Sequence, residues 1–143
     1  MTGEPRAQDR RLLFLAGTAK DAATTEAMLA PAGIHVEVCR TFQGLLDELT
    51  AGAGALLIPE EAASSAQNTA LAAQLAGQPA WSDLPILVLT RPGADSAETG
   101  EAVRMLGNVT LIERPVRLAT LISAVRSAIR ARDRQYQIRE HLA

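Results

Sequence analysis

The chain has 143 residues, of which 48% are apolar and 21% charged, with a formal net charge of −2. That length makes one domain with a real core, burying roughly 70% of the unfolded chain's surface, and the apolar share excludes a disordered chain. The charge balance argues against a general nucleic-acid binder, no apolar run approaches the ~20 residues of a membrane-spanning helix, and a single cysteine, Cys39, excludes an internal disulfide and a cysteine-based zinc site.

Residues 1–10 are polar, lack a signal-peptide core and read as a disordered lead-in, so a cytoplasmic location is the expectation. Residues 11–16, a continuous apolar run opened by Arg11, form the first strand. Asp21 is the expected N-cap of a helix that reaches Leu29 with Ala23, Ala27 and Met28 toward the core, and Pro31 and Gly33 end it. Residues 34–39 alternate and read as a strand nearer the sheet edge. Thr41 caps a second helix with Phe42, Leu45, Leu46 and Leu49 at core spacing. Residues 55–58 are the third strand, followed by Pro59, Glu60 and Glu61. Residues 66–75 make an alanine-rich third helix.

The run 86–89, flanked by Pro85 and Pro92, has the short, apolar, partly β-branched pattern of a strand buried on both faces. Residues 96–106 follow as a fourth helix, with Gly107 as its stop. Residues 109–112 form the fifth strand, closed by Glu113, Arg114 and Pro115. The last helix, 118–129, sets Leu118, Leu121, Ile122, Val125 and Ile129 on one face. Beyond it, residues 131–143 carry Arg132, Arg134 and Arg139 with no Gly or Pro, which reads as a solvated helical connector leaving a domain of residues 11–130. Five strands, each followed by a helix, make an α/β doubly wound sheet with helices on both faces. In such sheets the site lies outside the carboxyl ends of the strands. That rim comprises residues 16–18, Pro59, Glu60, Thr90, Arg91, Glu113 and Arg114.

Thr90 closing one apolar strand, and a basic residue with proline closing the next, resemble the receiver domain of bacterial response regulators over roughly residues 11–130. The resemblance implies a flavodoxin-like fold with strand order 2-1-3-4-5 and a cis bond before Pro115. It also implies a pocket in which a threonine and a lysine read a phosphoryl group on an aspartate after the third strand. Two acids after the first strand help to hold Mg²⁺, a hard cation that takes oxygen ligands. This chain departs from that pattern. Ala16, Gly17 and Thr18 stand after the first strand, and Pro59 stands at the aspartate position, or Glu60 if the register slips by one. Arg114 replaces the lysine, and Leu111 stands where an aromatic is usual.

The expectation is therefore a pseudo-receiver with no metal, no cofactor and no enzymatic activity. Its remnant pocket is Pro59, Glu60, Thr90, Arg114 and Pro115. Arg114 is read either as an anchor paired with Glu60 or Glu113 or as a surface charge. Glu60 either mimics a phosphorylated state or, more simply, is a solvated acid, and Thr90 more simply satisfies a strand-end backbone group.

Other features carry less. Gly52 and Gly54 precede a strand, with no helix following as a phosphate loop needs. Gly17 to Lys20 lacks the first glycine and the Lys-Ser/Thr pair of a nucleotide-binding loop. His35 and His141 have no Cys partner, and Cys39 reads as a small buried residue. The segment 134–142 resembles the connector between a receiver-like domain and the dimerising helices of a sensor histidine kinase. That implies a kinase module downstream in the same polypeptide, and a homodimer through the fourth helix, fifth strand and last helix with Leu118, Ile122 and Val125 on the partner face. Neither nucleic acid nor membrane is an expected partner. The alternative is a small-molecule or unconventional phosphoryl-binding domain that uses Glu60.

Overall fold

A computed structural model describes residues 7–62, 65–78, 82–92, 100, 103–104, 106 and 107–142. Five strands, β1 (Leu12–Leu15), β2 (Val36–Cys39), β3 (Ala55–Pro59), β4 (Ile86–Thr90) and β5 (Val109–Glu113), form one parallel sheet in the order β2-β1-β3-β4-β5. Four helices are described: α1 (Ala19–Leu29), α2 (Phe42–Ala51), α3 (Ser65–Leu75) and α4 (Leu118–Leu142). This is the expected flavodoxin-like doubly wound sheet. Most of the helix expected over residues 96–106 lies outside the described residues, although Leu106 is buried in the core.

The apolar runs are blocky because the central strands are covered on both sides. Leu12, Phe14, Ala55, Leu57 and Leu87 face a core completed by Leu29 of α1 and by Leu121 and Val125 of α4. Leu13, Leu15, Leu56, Ile58, Ile86 and Val88 face a second core with Leu45 of α2 and Leu71 of α3. Each leucine fully removed from water contributes about 1.5–3 kcal/mol, so the sheet and its two helical layers form as one unit.

The helix starts show how local chemistry sets the ends. Thr41 caps α2 as its sequence position suggests, accepting from the Gly44 amide. In α1 the cap is Thr18, not Asp21: the Thr18 backbone is extended and its hydroxyl accepts from the Asp21 amide. Asp21 sits in the first turn, where a carboxylate complements the positive helix end. The buried face of α1 is Ala22 and Leu29, with Ala23 and Ala27 exposed. Before Met28 and Leu29 the helix has no large apolar side chain to declare its phase, so packing decides it.

Both ends of the domain are tied down further than the sequence suggests. Ala7–Arg10 is a 3-10 turn, so the lead-in expected through Arg10 belongs to the fold from Ala7 onward. Its Asp9 is buried, and Gly52, at φ 115°, has Asp9 Oδ1 where a Cβ would come within 2.5 Å. The last helix does not leave the domain at residue 130. Arg132 is buried. Its Nε donates to Ala53 O at 3.3 Å, and its Nη1 donates to Ser82 Oγ and Gln135 Oε1, both at 2.7 Å. The guanidinium lies 5.0 Å from the centroid of the Tyr136 ring, within cation–π range. Tyr136 is buried too, its hydroxyl bonded to Asp9 and pushed above its ordinary range by burial. Gln135 pairs with both backbone groups of Asp83, at 2.8 and 2.7 Å, and Arg10 Nε meets Asp133 at 3.3 Å. The contacts of the folded body therefore reach from Ala7 at least to Tyr136. The arginines of the tail had read as one solvated face, but one of them is the centre of a buried network.

Removing the Arg132 side chain strands several of these acceptors in a buried site. Arg132→Ala is expected to lower stability by about 2–4 kcal/mol, read as the shift of the urea unfolding midpoint at constant slope.

Candidate functional site: the rim at the carboxyl ends of the strands

The parallel register brings Pro59 beside Leu89 and Thr90 beside Glu113, so the ends of β3, β4 and β5 form one edge. Thr90 is buried at that edge. Its carbonyl accepts from the Arg114 amide at 3.0 Å and again from Arg114 Nε at 3.1 Å. The Arg114 side chain thus folds back over the end of β4 instead of extending into solvent. The Arg114–Pro115 peptide is cis, as the resemblance implied.

The rest of the Arg114 fork goes to Glu61. Nη1 donates to Oε2 at 2.9 Å and Nη2 donates to Oε1, the two-point geometry for which guanidinium and carboxylate are matched. The hydrogen bond to Arg114 holds the Glu61 carboxyl below its usual range, and the same bond raises the Arg114 guanidinium. Arg114 was expected to pair with Glu60 or Glu113 or to stand as a surface charge. Its partner is the next acid along, because Glu60–Ala62 is a 3-10 turn whose successive side chains diverge by roughly 120°.

Glu60 goes the other way. It is buried, and its Oε2 accepts from the Arg91 amide at 2.7 Å and from Arg91 Nε at 3.4 Å. The reading of Glu60 as a solvated acid fails on this burial. Its charge lies beside Thr90, one residue before Arg91, but it is not among the residues that line the rim pocket.

That pocket holds about 330 Å³. Phe14 and Leu89 line it together with Gly17, Asp21, Pro59, Glu61 and Arg114, and Thr24 and Thr25 of α1 bring two hydroxyls. Of the expected remnant residues, Pro59 and Arg114 line it, while Thr90 and Glu60 brace the strand end beneath. Glu61 and Asp21 are the acids that reach it. The donor set does not fit Mg²⁺, which needs near-octahedral oxygen ligation: both Glu61 oxygens are held by Arg114, and Asp21 alone remains. Among the described residues no three His, Cys, Asp or Glu side chains gather as a metal set. Cys39 is a buried free thiol pushed up to about 11, chiefly by desolvation, which leaves it unreactive.

The expected partner face divides. Leu118 is 41% exposed and Leu111 44%, and Ile122 is half-buried against the core. Val125 is fully buried in that core and cannot meet a partner. Leu118, Ile122 and Val125 recur one helix turn apart along one stripe, and their place along the axis divides them: Val125 lies over the sheet, while Leu118 is the first residue of α4.

No protein-family model and no curated protein matches the chain. Solved structures do match it. NtrX from Brucella abortus aligns over 91% of this chain with a TM-score of 0.71 and 14% identity. FixJ from B. japonicum aligns over 86% with a TM-score of 0.70 and 25% identity. A CheY-like response regulator receiver domain protein from Methanospirillum hungatei aligns over 87% with a TM-score of 0.69 and 16% identity. The chain spans 28% of the NtrX chain and 59% of the FixJ chain, but 97% of the Methanospirillum receiver. The fold is that of the response-regulator receiver domain. Among the described residues, no helix is long and apolar enough to cross a membrane.

Glu61 is 49% and Arg114 31% exposed in their side chains, so solvent screens the pair. Glu61→Gln is expected to cost about 0.5–1 kcal/mol at pH 7. Because the folded carboxyl titrates lower than the unfolded one, this stabilisation is complete above about pH 4.3 and disappears as the pH falls through the folded value. Urea unfolding at neutral and acid pH checks this, and the gap between the two proteins should close on the acid side.

Proposed function

We propose that the chain is a receiver-type module of two-component signalling that does not cycle through an aspartyl phosphate. It acts through protein contacts and not as an enzyme. The observation that carries this reading is the two-point Glu61–Arg114 pair inside a pocket where β3 ends in Pro59. A proline offers no nucleophile. Glu61 has a carboxylate, but both of its oxygens are engaged and its negative charge is lowered in energy by the guanidinium, which weakens it as an attacking group. In the receiver family the cation at this position answers a phosphoryl group that comes and goes. Here a carboxylate built into the chain supplies that charge permanently, so the rim rests in one state.

The output then belongs to geometry downstream of the rim. α4 begins four residues after Arg114 and carries Leu118 at its exposed start, and Leu111 on the edge strand is exposed too, so this edge of the domain keeps an apolar face. This apolar face is where a second copy docks, and α4 passes its orientation to a histidine kinase module in the cytoplasm.

Incubation of the full chain with acetyl phosphate and Mg²⁺, followed by intact-mass measurement, is expected to show no added phosphoryl group. A gain that disappears in Glu60→Gln or Glu61→Gln would overturn the proposal.

A further inference from the structure

Away from the rim, at the amino ends of the strands, three arginines from two distant parts of the chain surround one concavity of about 310 Å³. Arg10 comes from the turn before β1. Arg126 and Arg130 stand one turn apart on α4 and so share a face. Ile34 and Ile129 line the same concavity; the first is buried and the second half-buried, giving it an apolar floor.

The three forks are not equally committed. Arg126 Nη2 donates to Ala32 O at 2.7 Å, which fixes that guanidinium at the wall of the pocket with donors to spare. Arg10 Nε meets Asp133, the one carboxylate joined to the cluster among the described residues, at 3.3 Å. Arg130 is exposed and has no hydrogen-bond or ion-pair partner among the described residues. Like charges one turn apart on a helix repel, and three cations set against one carboxylate leave a surplus of two positive charges. In a chain with a net charge of −2, this is a local inversion of the overall balance.

We propose that this pocket binds a soluble phosphomonoester with an apolar body. A phosphate dianion matches the surplus of two charges, which a carboxylate would half fill. Its planar O–P–O edges suit guanidinium forks, and the isoleucine floor accepts the body of the ligand. A volume near 300 Å³ is that of a small-ligand pocket, and its concavity does not suit a membrane surface or a duplex. The site is separate from the rim, so it stands or falls independently of how the rim works.

The test uses the full chain with phenyl phosphate as probe, and with inorganic phosphate and phenol as controls, followed by amide chemical shifts at low salt. The expected result is a saturable response at Gly33, Ile34, Ile129 and Arg130, tighter for phenyl phosphate than for either control. Arg130→Gln is expected to weaken binding about tenfold without lowering the urea midpoint, because the side chain is exposed, has no partner among the described residues and is repelled by Arg126. Unaltered affinity in Arg130→Gln, equal binding of phenol or of inorganic phosphate, or shifts spread evenly over every arginine of α4 would each overturn the proposal.

Discussion

The middle of the sheet is dry on both faces, and that constraint organises the rest. Leu12, Leu13, Ala55, Leu56, Leu57 and Ile86 are wholly withdrawn from solvent, in strands with no free edge. A charge placed there would have to be neutralised or paired at a cost of several kcal/mol. Charged chemistry is therefore pushed to the two ends of the strands. The carboxyl end holds Glu60, Glu61, Arg91 and Arg114, and the amino end holds Asp9, Arg10, Arg11 and Arg132. Arg11 makes the point: it stands just before β1, is itself buried, and spends its donors on Gly52 O, Glu48 and Glu37.

At the carboxyl end two neighbouring acids do different work because the chain turns through a 3-10 helix between them. Glu60 is directed inward and braces the residue after β4 through the Arg91 amide. Glu61 is directed into the pocket and takes the arginine. The pair joins the ends of β3 and β5 across β4, whose Thr90 carbonyl also holds Arg114. Three strand ends are thus tied by one guanidinium. A lysine, with one point charge, could not make the same set of bonds.

The amino end is closed by α4. A helix of 25 residues is roughly 37 Å long, enough to start beside the rim and finish beyond the opposite end of the sheet. Arg132, Gln135 and Tyr136 fasten it to the segment before β1, to the loop before β3 and to the loop before β4. The two polar ends are therefore connected by one rigid element. Ile138, beyond the last of these contacts, is 52% exposed.

The sequence by itself determined the strands, the order in which strands and helices alternate, and the rim, because each of these is written in local terms: short apolar runs, Thr41 as a cap, Gly33 and Gly107 as stops, and a basic residue before proline. Pro59 and Arg114 were legible for the same reason. What pairs with Arg114, which way Glu60 points, and where the domain ends were not legible. Glu60 and Glu61 are identical in type and adjacent, so only the turn that separates them assigns one to the core and the other to the pocket. Val125 and Leu118 share a helix stripe in sequence, and only their positions along α4 separate them: Leu118 opens the helix in its exposed first turn, while Val125 lies over the sheet. Arg132 looks like its neighbours Arg130 and Arg134 until Ala53 and Ser82 arrive from distant parts of the chain. Contacts between residues far apart in sequence decided each of these, and no local pattern encodes them.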